Sequence, residues 1–195
     1  METQKKSFAL FVTLTALYAI LSLMSFVMSY ANRVSVQAST FIEWAAAALT
    51  LLAIAFTGLR RKVPALTLSI INLVVAVFMF FGSALQAVNV LWLMYNADTL
   101  IYVAAGVLIL LYTVGVMKNT QVLTIVFLAM AGTVLLMNIV GFFYFVTTLR
   151  FGVGWSIGYA FRSMPYDLSR VCLYGAMALG VQCFTPNLKQ IVMGQ

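Results

Sequence analysis

Long apolar runs separated by short polar stretches make up most of the chain. Six of them reach the length of about 20 residues that a helix needs to cross the hydrocarbon core of a bilayer. They cover residues 8–31, 39–58, 64–87, 98–117, 120–148 and 166–185. The pattern predicts an all-α, polytopic membrane helical bundle with six transmembrane helices, in a single domain over residues 1–195.

The three prolines agree with these boundaries. Pro64 lies where the third run begins, Pro165 just before the sixth and Pro186 just after it. Because proline is tolerated in the first turn of a helix and disrupts its interior, none of the six predicted helices is broken. The fifth run, about 29 residues or about 43 Å of helix, exceeds a core of about 30 Å and must tilt, bend or project.

One segment departs from the continuous apolar pattern. Residues 150–161 read RFGVGWSIGYAF, with a large apolar side chain at every odd position from Phe151 and Gly, Ser or Ala between them. As a helix it puts large residues on every face, and as an extended strand it leaves bare backbone on one side, which lipid does not tolerate. For residues 149–165 we expect either a short interfacial helix or a partly re-entrant segment whose glycine backbone lines a cavity. A third interpretation, a channel filter built from backbone carbonyls, matches no known filter signature.

Composition supports the membrane class and restricts the chemistry. The chain is 64% hydrophobic and 8% charged, whereas about 25% of residues are charged in ordinary soluble domains. Histidine is absent and only four residues are acidic, so we expect no catalytic residue, metal site or cofactor, and no enzyme. Cys172 and Cys183 are about 16 Å apart along one predicted helix, too far for a disulfide, and are interpreted as core residues.

The basic residues predict an orientation. One side holds Lys5, Lys6, Arg60, Arg61, Lys62, Lys118 and Lys189, and the other holds Arg33, Arg150, Arg162 and Arg170. Because cytoplasmic loops carry an excess of Lys and Arg, both termini are predicted to lie in the cytoplasm, with the protein in a cell membrane, by default a bacterial plasma membrane. This rule accounts for most of the net charge of +7, so no nucleic-acid partner is implied.

The outer side combines arginines, acids and aromatic residues. Arginine pairs bidentately with carboxylate or phosphate, which predicts an outward-facing vestibule for a small anionic or zwitterionic ligand. Its candidate residues are Arg150, Arg162, Arg170, Trp155, Tyr159, Glu43 and Asp167. In the alternative interpretation the arginines are headgroup anchors and exposed helix-end salt bridges, and the Trp and Tyr rings form an interfacial belt.

These features favour a membrane-embedded solute-binding or transport subunit. In size and topology the chain resembles the substrate-binding subunits of energy-coupling-factor vitamin importers, which are small six-helix proteins that bind ligand from outside. The alternative is a non-catalytic accessory, assembly or immunity subunit that acts by packing against partner membrane proteins. The expected partners are the lipid bilayer and either other membrane subunits or further copies of this chain.

Overall fold

The structure, a computed structural model, describes residues 2–31, 38–84, 90–147 and 153–184. Within those ranges the chain forms six α-helices and no β-strand, which confirms the predicted all-α fold. The helices are α1 Glu2–Ala31, α2 Ala38–Gly58, α3 Lys62–Ala84, α4 Val90–Val114, α5 Thr120–Thr147 and α6 Val153–Phe184.

Five of the described helices are long and apolar enough to cross a membrane. The qualifying stretches are Lys6–Met28, Phe41–Gly58, Lys62–Gly82, Ala97–Val114 and Thr120–Phe143. The sixth helix, α6, is 32 residues long and carries Arg162, Asp167 and Arg170, and it does not reach the same hydropathy. Length and composition therefore identify a multi-pass membrane protein.

The side chains are distributed as in a helix bundle that lies in lipid. Large aliphatic and aromatic residues cover the outside, among them Val63, Val74, Phe78, Ile125 and Phe143. Many of the buried positions are small, among them Ala46, Ala53, Ala76, Ala105 and Ala178. A soluble protein rarely exposes so much contiguous apolar surface, whereas membrane helices pack through small residues that let their backbones approach.

Helix α6 is the most enclosed part of the bundle. It packs against α1, α5 and α2, while α2, α3 and α4 form a second packed group beside it. Tyr174, Met177 and Val181 on α6 have no exposed surface. Because other helices shield α6 from lipid, it can carry polar residues that a lipid-facing helix could not, which explains its lower hydropathy.

The structure corrects the prediction for residues 149–165. Val153–Pro165 form the first part of α6, which continues to Phe184, while residues 149–152 lie outside the described ranges. A separate helix or a partly re-entrant segment is therefore wrong over 153–165, as are a sixth helix that begins at 166 and a Pro165 that lies outside it. The interfacial position of this stretch stays a prediction. A helix satisfies its own backbone hydrogen bonds, so this glycine-rich stretch leaves no bare backbone, and neighbouring helices make a proline tolerable in a membrane helix.

Helix packing fixes which helix ends lie together. Near the end of α6, a Cβ added to Gly180 would meet Phe11 of α1 and Ile54 of α2, and the Thr124 hydroxyl of α5 donates to the Ala178 carbonyl at 3.4 Å. The starts of α1 and α5 and the ends of α2 and α6 therefore share one end of the bundle. We call it the basic end, because it carries Lys6, Arg60, Arg61, Lys62 and Lys118.

Two tight turns close the helices at the basic end. Arg60 after α2 and Gly115 after α4 have φ angles of 57° and 86°. In both turns the N–H of this residue and of the next one donate to carbonyls of the last helical turn, which is the Schellman pattern. Asn119 Oδ1 then accepts the N–H groups of Gln121 and Val122 and caps α5. Short turns of this kind hold α2 to α3 and α4 to α5 as antiparallel pairs.

Candidate functional site

Arg170 is the centre of a polar cluster inside the bundle. Its side chain is only 8% exposed. The Nη2 atom lies 3.2 Å from Oε2 of Glu43 on α2 and 3.7 Å from Oδ2 of Asp98 on α4. One guanidinium on α6 is therefore paired with two carboxylates that come from two other helices.

Two tyrosines complete the surroundings of the guanidinium. Arg170 Nη2 donates to Tyr166 Oη at 2.8 Å, and that hydroxyl donates to Glu43 Oε2 at 3.3 Å. The guanidinium carbon lies 5.3 Å from the centre of the Tyr166 ring and 5.5 Å from that of Tyr102. Both distances fall within the range of about 6 Å for cation–π attraction. The positive charge of Arg170 is thus stabilised by ring faces as well as by carboxylates.

The Tyr102 hydroxyl connects this cluster to α3. It donates to Asn72 Oδ1 at 3.2 Å and lies 3.4 Å from Thr50 Oγ1, which itself donates to the Ala46 carbonyl at 2.9 Å. Asn72 and Thr50 are fully buried. A continuous polar path therefore links α2, α3, α4 and α6 through the interior of the bundle.

A small cavity borders Arg170 between α1, α2 and α6. It is lined by Tyr18, Ser22, Ser25, Glu43, Trp44, Tyr166, Ser169, Arg170 and Leu173. The cavity volume is about 20 Å³, enough for about one water molecule. A solute of several atoms does not fit into a cavity of this size.

Aromatic rings close α1 against α2 beside this cavity. The ring of Phe26 on α1 lies 5.7 Å from Trp44 and 5.8 Å from Phe41, and those two rings are 5.8 Å apart. Trp44 itself lines the cavity. Of the five apolar stretches α1 is the least enclosed, and it packs mainly on α6. The aromatic trio is therefore the contact between α1 and α2 that borders the cavity.

Two buried polar side-chain atoms among the described residues make no hydrogen bond. They are Oδ1 of Asp98 and the hydroxyl oxygen of Tyr174. Tyr174 follows Arg170 by one helical turn and has no exposed surface. Nearly all buried polar atoms in proteins are paired, so these two oxygens are exceptions among the described residues.

The structure brings together two of the seven predicted site residues, Glu43 and Arg170. Asp167 lies three residues before Arg170 on α6 and is not among the residues that line the cavity. The side chains of Trp155, Tyr159 and Arg162 and the whole of Arg150 lie outside the described residues. The role of these four residues in an outer vestibule stays a prediction.

Sequence reasoning missed Asp98, Tyr102 and Tyr166 as site residues. A signal for Asp98 was present, because a carboxylate at the start of an apolar helix needs a partner inside the bundle. Tyr102 follows Asp98 by one turn and so lies on the same side of α4. Tyr166 was assigned to the interfacial belt, and only the packing of α6 on α2 shows that it faces Glu43.

The chain matches no protein-family model, no curated protein and no solved structure.

Proposed function

We propose that this protein crosses the membrane six times, with both termini in the cytoplasm, and acts as a solute-binding or transport subunit. The observation that carries the proposal is the buried guanidinium of Arg170, paired with Glu43 and Asp98 beside a cavity. Ionisable side chains inside a membrane are costly and usually mark substrate or ion pathways. A protein that needed only to pack would be served as well by apolar residues, which often replace a buried ion pair without loss of stability.

The depth of the cluster supports a site that is reached from outside. Arg170, Glu43 and Asp98 lie 14, 15 and 16 residues from the ends of their helices at Phe184, Gly58 and Val114. At 1.5 Å per residue these separations are about 21 to 24 Å. With the basic end at the cytoplasmic surface of a hydrocarbon core of about 30 Å, the cluster lies inside the core and nearer its outer boundary.

The cavity lining favours a small zwitterion as ligand. Arg170 offers a guanidinium to a ligand carboxylate, and Glu43 offers a carboxylate to a ligand ammonium group. The Trp44 ring is suited to the same cationic group, and three serines supply hydroxyls. A ligand with negative charge alone is matched less well, because Arg170 already faces two carboxylates.

Thermal unfolding of the purified protein in detergent tests this function. The probes are the common amino acids and glycine betaine, each compared with half-analogues that keep only the carboxylate or only the cationic group. We expect at least one zwitterion to raise the Tm of the wild type, and its half-analogues to raise it less. Glu43→Gln and Arg170→Gln should abolish the shift, while Lys118→Gln, a charge change at the basic end, should retain it.

A second function, packing against a partner membrane protein, is favoured by the small size of the cavity in this state. A cavity volume of about 20 Å³ is compatible with a polar cluster whose only role is to fix the arrangement of the helices. The two functions differ in the unfolding experiment. An accessory subunit shows no ligand-dependent change of Tm in the wild type, and that result would remove solute binding as the function of this site.

A further inference from the structure

We propose that Asp98 binds a dissociable proton, and that this proton frees Arg170 to bind the carboxylate of the ligand. The proton site stands on the geometry of the cluster, while its effect on ligand binding rests on the proposed function. Solute binding would then be coupled to proton binding at the same site.

The charges of the cluster do not balance when all three groups are ionised. Glu43 Oε2 and Asp98 Oδ2 lie 3.2 Å and 3.7 Å from the same nitrogen of Arg170, so these oxygens are less than about 7 Å apart. One guanidinium neutralises one carboxylate and leaves a formal charge of −1 in a medium of low dielectric constant. Two carboxylates in one site disfavour each other's ionisation, so a proton on one of them would neutralise the cluster.

The hydrogen bonds assign the proton to Asp98. Glu43 Oε2 has the shorter contact with Arg170 and also accepts the Tyr166 hydroxyl, and Glu43 lines the cavity. Asp98 has the longer contact, and its Oδ1 has no partner among the described residues. Protonation of Asp98 removes charge from an oxygen that nothing described solvates, whereas protonation of Glu43 would weaken existing bonds.

None of the described side chains around Asp98 is a second cation that could take the place of a proton. The titratable side chains of the cluster are Tyr18 on α1, Glu43 on α2, Tyr102 on α4, and Tyr166, Arg170 and Tyr174 on α6. The polar contribution of α3 is the uncharged Asn72, and α5 has no charged residue in its sequence. Among the described side chains Arg170 is therefore the only positive charge in the cluster.

A proton fits this site better than a metal ion does. Arg170 lies within 4 Å of both carboxylates and repels a second cation, whereas a proton binds covalently to one oxygen and needs no coordination shell. The cavity holds about one water. The described residues also contain no group of three or more His, Cys, Asp or Glu that could hold a metal.

The proton changes what Arg170 can bind. When a proton from water binds a carboxyl oxygen of Asp98, the cluster becomes neutral and the attraction between Asp98 and Arg170 falls. The guanidinium can then exchange this contact for the carboxylate of a zwitterion, whose ammonium group pairs with Glu43, and the site stays neutral. Ligand affinity should therefore rise as the pH falls, and by reciprocity the ligand should promote proton uptake.

Infrared spectroscopy of the protein in nanodiscs tests the proton site without any ligand. At about pH 7, where an exposed aspartate is ionised, the wild type should show a C=O stretching band of a protonated carboxyl group that shifts on labelling with carboxyl-¹³C aspartate and disappears as the pH is raised. The band should be absent from Asp98→Asn and retained in Asp167→Asn, the only other aspartate of the chain. Gel filtration and circular dichroism show whether each variant is folded.

The outcomes separate this inference from the proposed function. A wild type without the labelled band, or a folded Asp98→Asn that keeps it, overturns the proton site even when a zwitterion raises the Tm. A band that follows the prediction supports the proton site even when every zwitterion fails. Where a zwitterion does bind, its Tm shift should grow at lower pH in the wild type and lose that dependence in Asp98→Asn, and an unchanged dependence would overturn the coupling.

Discussion

Arg170 and Glu43, which are 127 residues apart in the sequence, are joined by a contact of 3.2 Å between Nη2 and Oε2 inside the helix bundle. The pair is not isolated, because Asp98 and Tyr166 contact the same guanidinium nitrogen. Helices α2, α4 and α6 are therefore held by one network of charges. The effect of one substitution in this network on the free energy of unfolding should therefore depend strongly on the other members.

The stability of this network should be non-additive. Arg170→Met leaves Glu43 and Asp98, whose side chains are only 17% and 20% exposed, without a cation. Breaking a fully buried pair costs about 3 to 5 kcal/mol, so we expect a loss at or below that range. The triple variant Arg170→Met, Glu43→Gln, Asp98→Asn carries no charge at the site and should be more stable than Arg170→Met alone. Unfolding in detergent measures these two variants together with the single variants Glu43→Gln and Asp98→Asn. A triple variant that loses the sum of the three single losses would contradict a coupled, buried network.

The Tyr102 hydroxyl should contribute separately from its ring. Tyr102→Phe removes the hydrogen bond to Asn72 Oδ1 and keeps the ring beside Arg170. Hydrogen bonds between membrane helices are worth about 0.6 kcal/mol on average and about 1.7 at most, so a loss in that range is expected. Tyr30→Phe is the control, because Tyr30 is 75% exposed. Equal unfolding free energies for the two variants would show that the bond to α3 does not stabilise the bundle.

The close approach of α1 and α2 to α6 should make Gly180 intolerant of a side chain. A Cβ there would lie 3.0 Å from Phe11 Cε2 and 3.2 Å from Ile54 Cγ2, whereas a Cβ at Gly132 on α5 meets nothing within 4 Å. Gly180→Ala should therefore lower the Tm, because both helices must move. Gly132→Ala should leave it unchanged or raise it slightly, since alanine favours the helix. A tolerated Gly180→Ala would show that α1 is not packed this tightly.

The sequence predicts the lipid-facing helices well and the central helix poorly. The ends of α2 and α5 agree with the predicted runs within one residue. An apolar run bounded by charged residues must form a helix across the lipid, so its length fixes the helix boundaries. The start of α6 was missed because the alternation of large and small residues over 151–161 does not follow a helical period. Glu43 and Arg170 were identified as rare charges in an apolar chain. The roles of Asp98 and Tyr166 depend on which helix faces meet, and no single segment encodes that.

The predicted orientation can be tested by cysteine labelling. In a background in which Cys172 and Cys183 are replaced by alanine, Arg162→Cys should react with a membrane-impermeant maleimide in intact cells. Lys118→Cys, at the basic end, should react only in inverted vesicles. This result follows from the positive-inside rule applied to the basic end. Reaction of position 162 from the cytosolic side would reverse the orientation and place the cavity on the wrong face of the membrane.

The cavity between α1, α2 and α6 is the proposed binding site for a zwitterion, and the fluorescence of Trp44 tests this most directly. Trp44 lines the cavity, and Trp92→Phe with Trp155→Phe leaves it as the only tryptophan. Titration of this variant in nanodiscs with glycine betaine and the common amino acids should give a saturable change in emission for at least one of them. The change should disappear when Arg170→Gln is added. A folded protein whose Trp44 emission responds to none of these zwitterions would contradict the account.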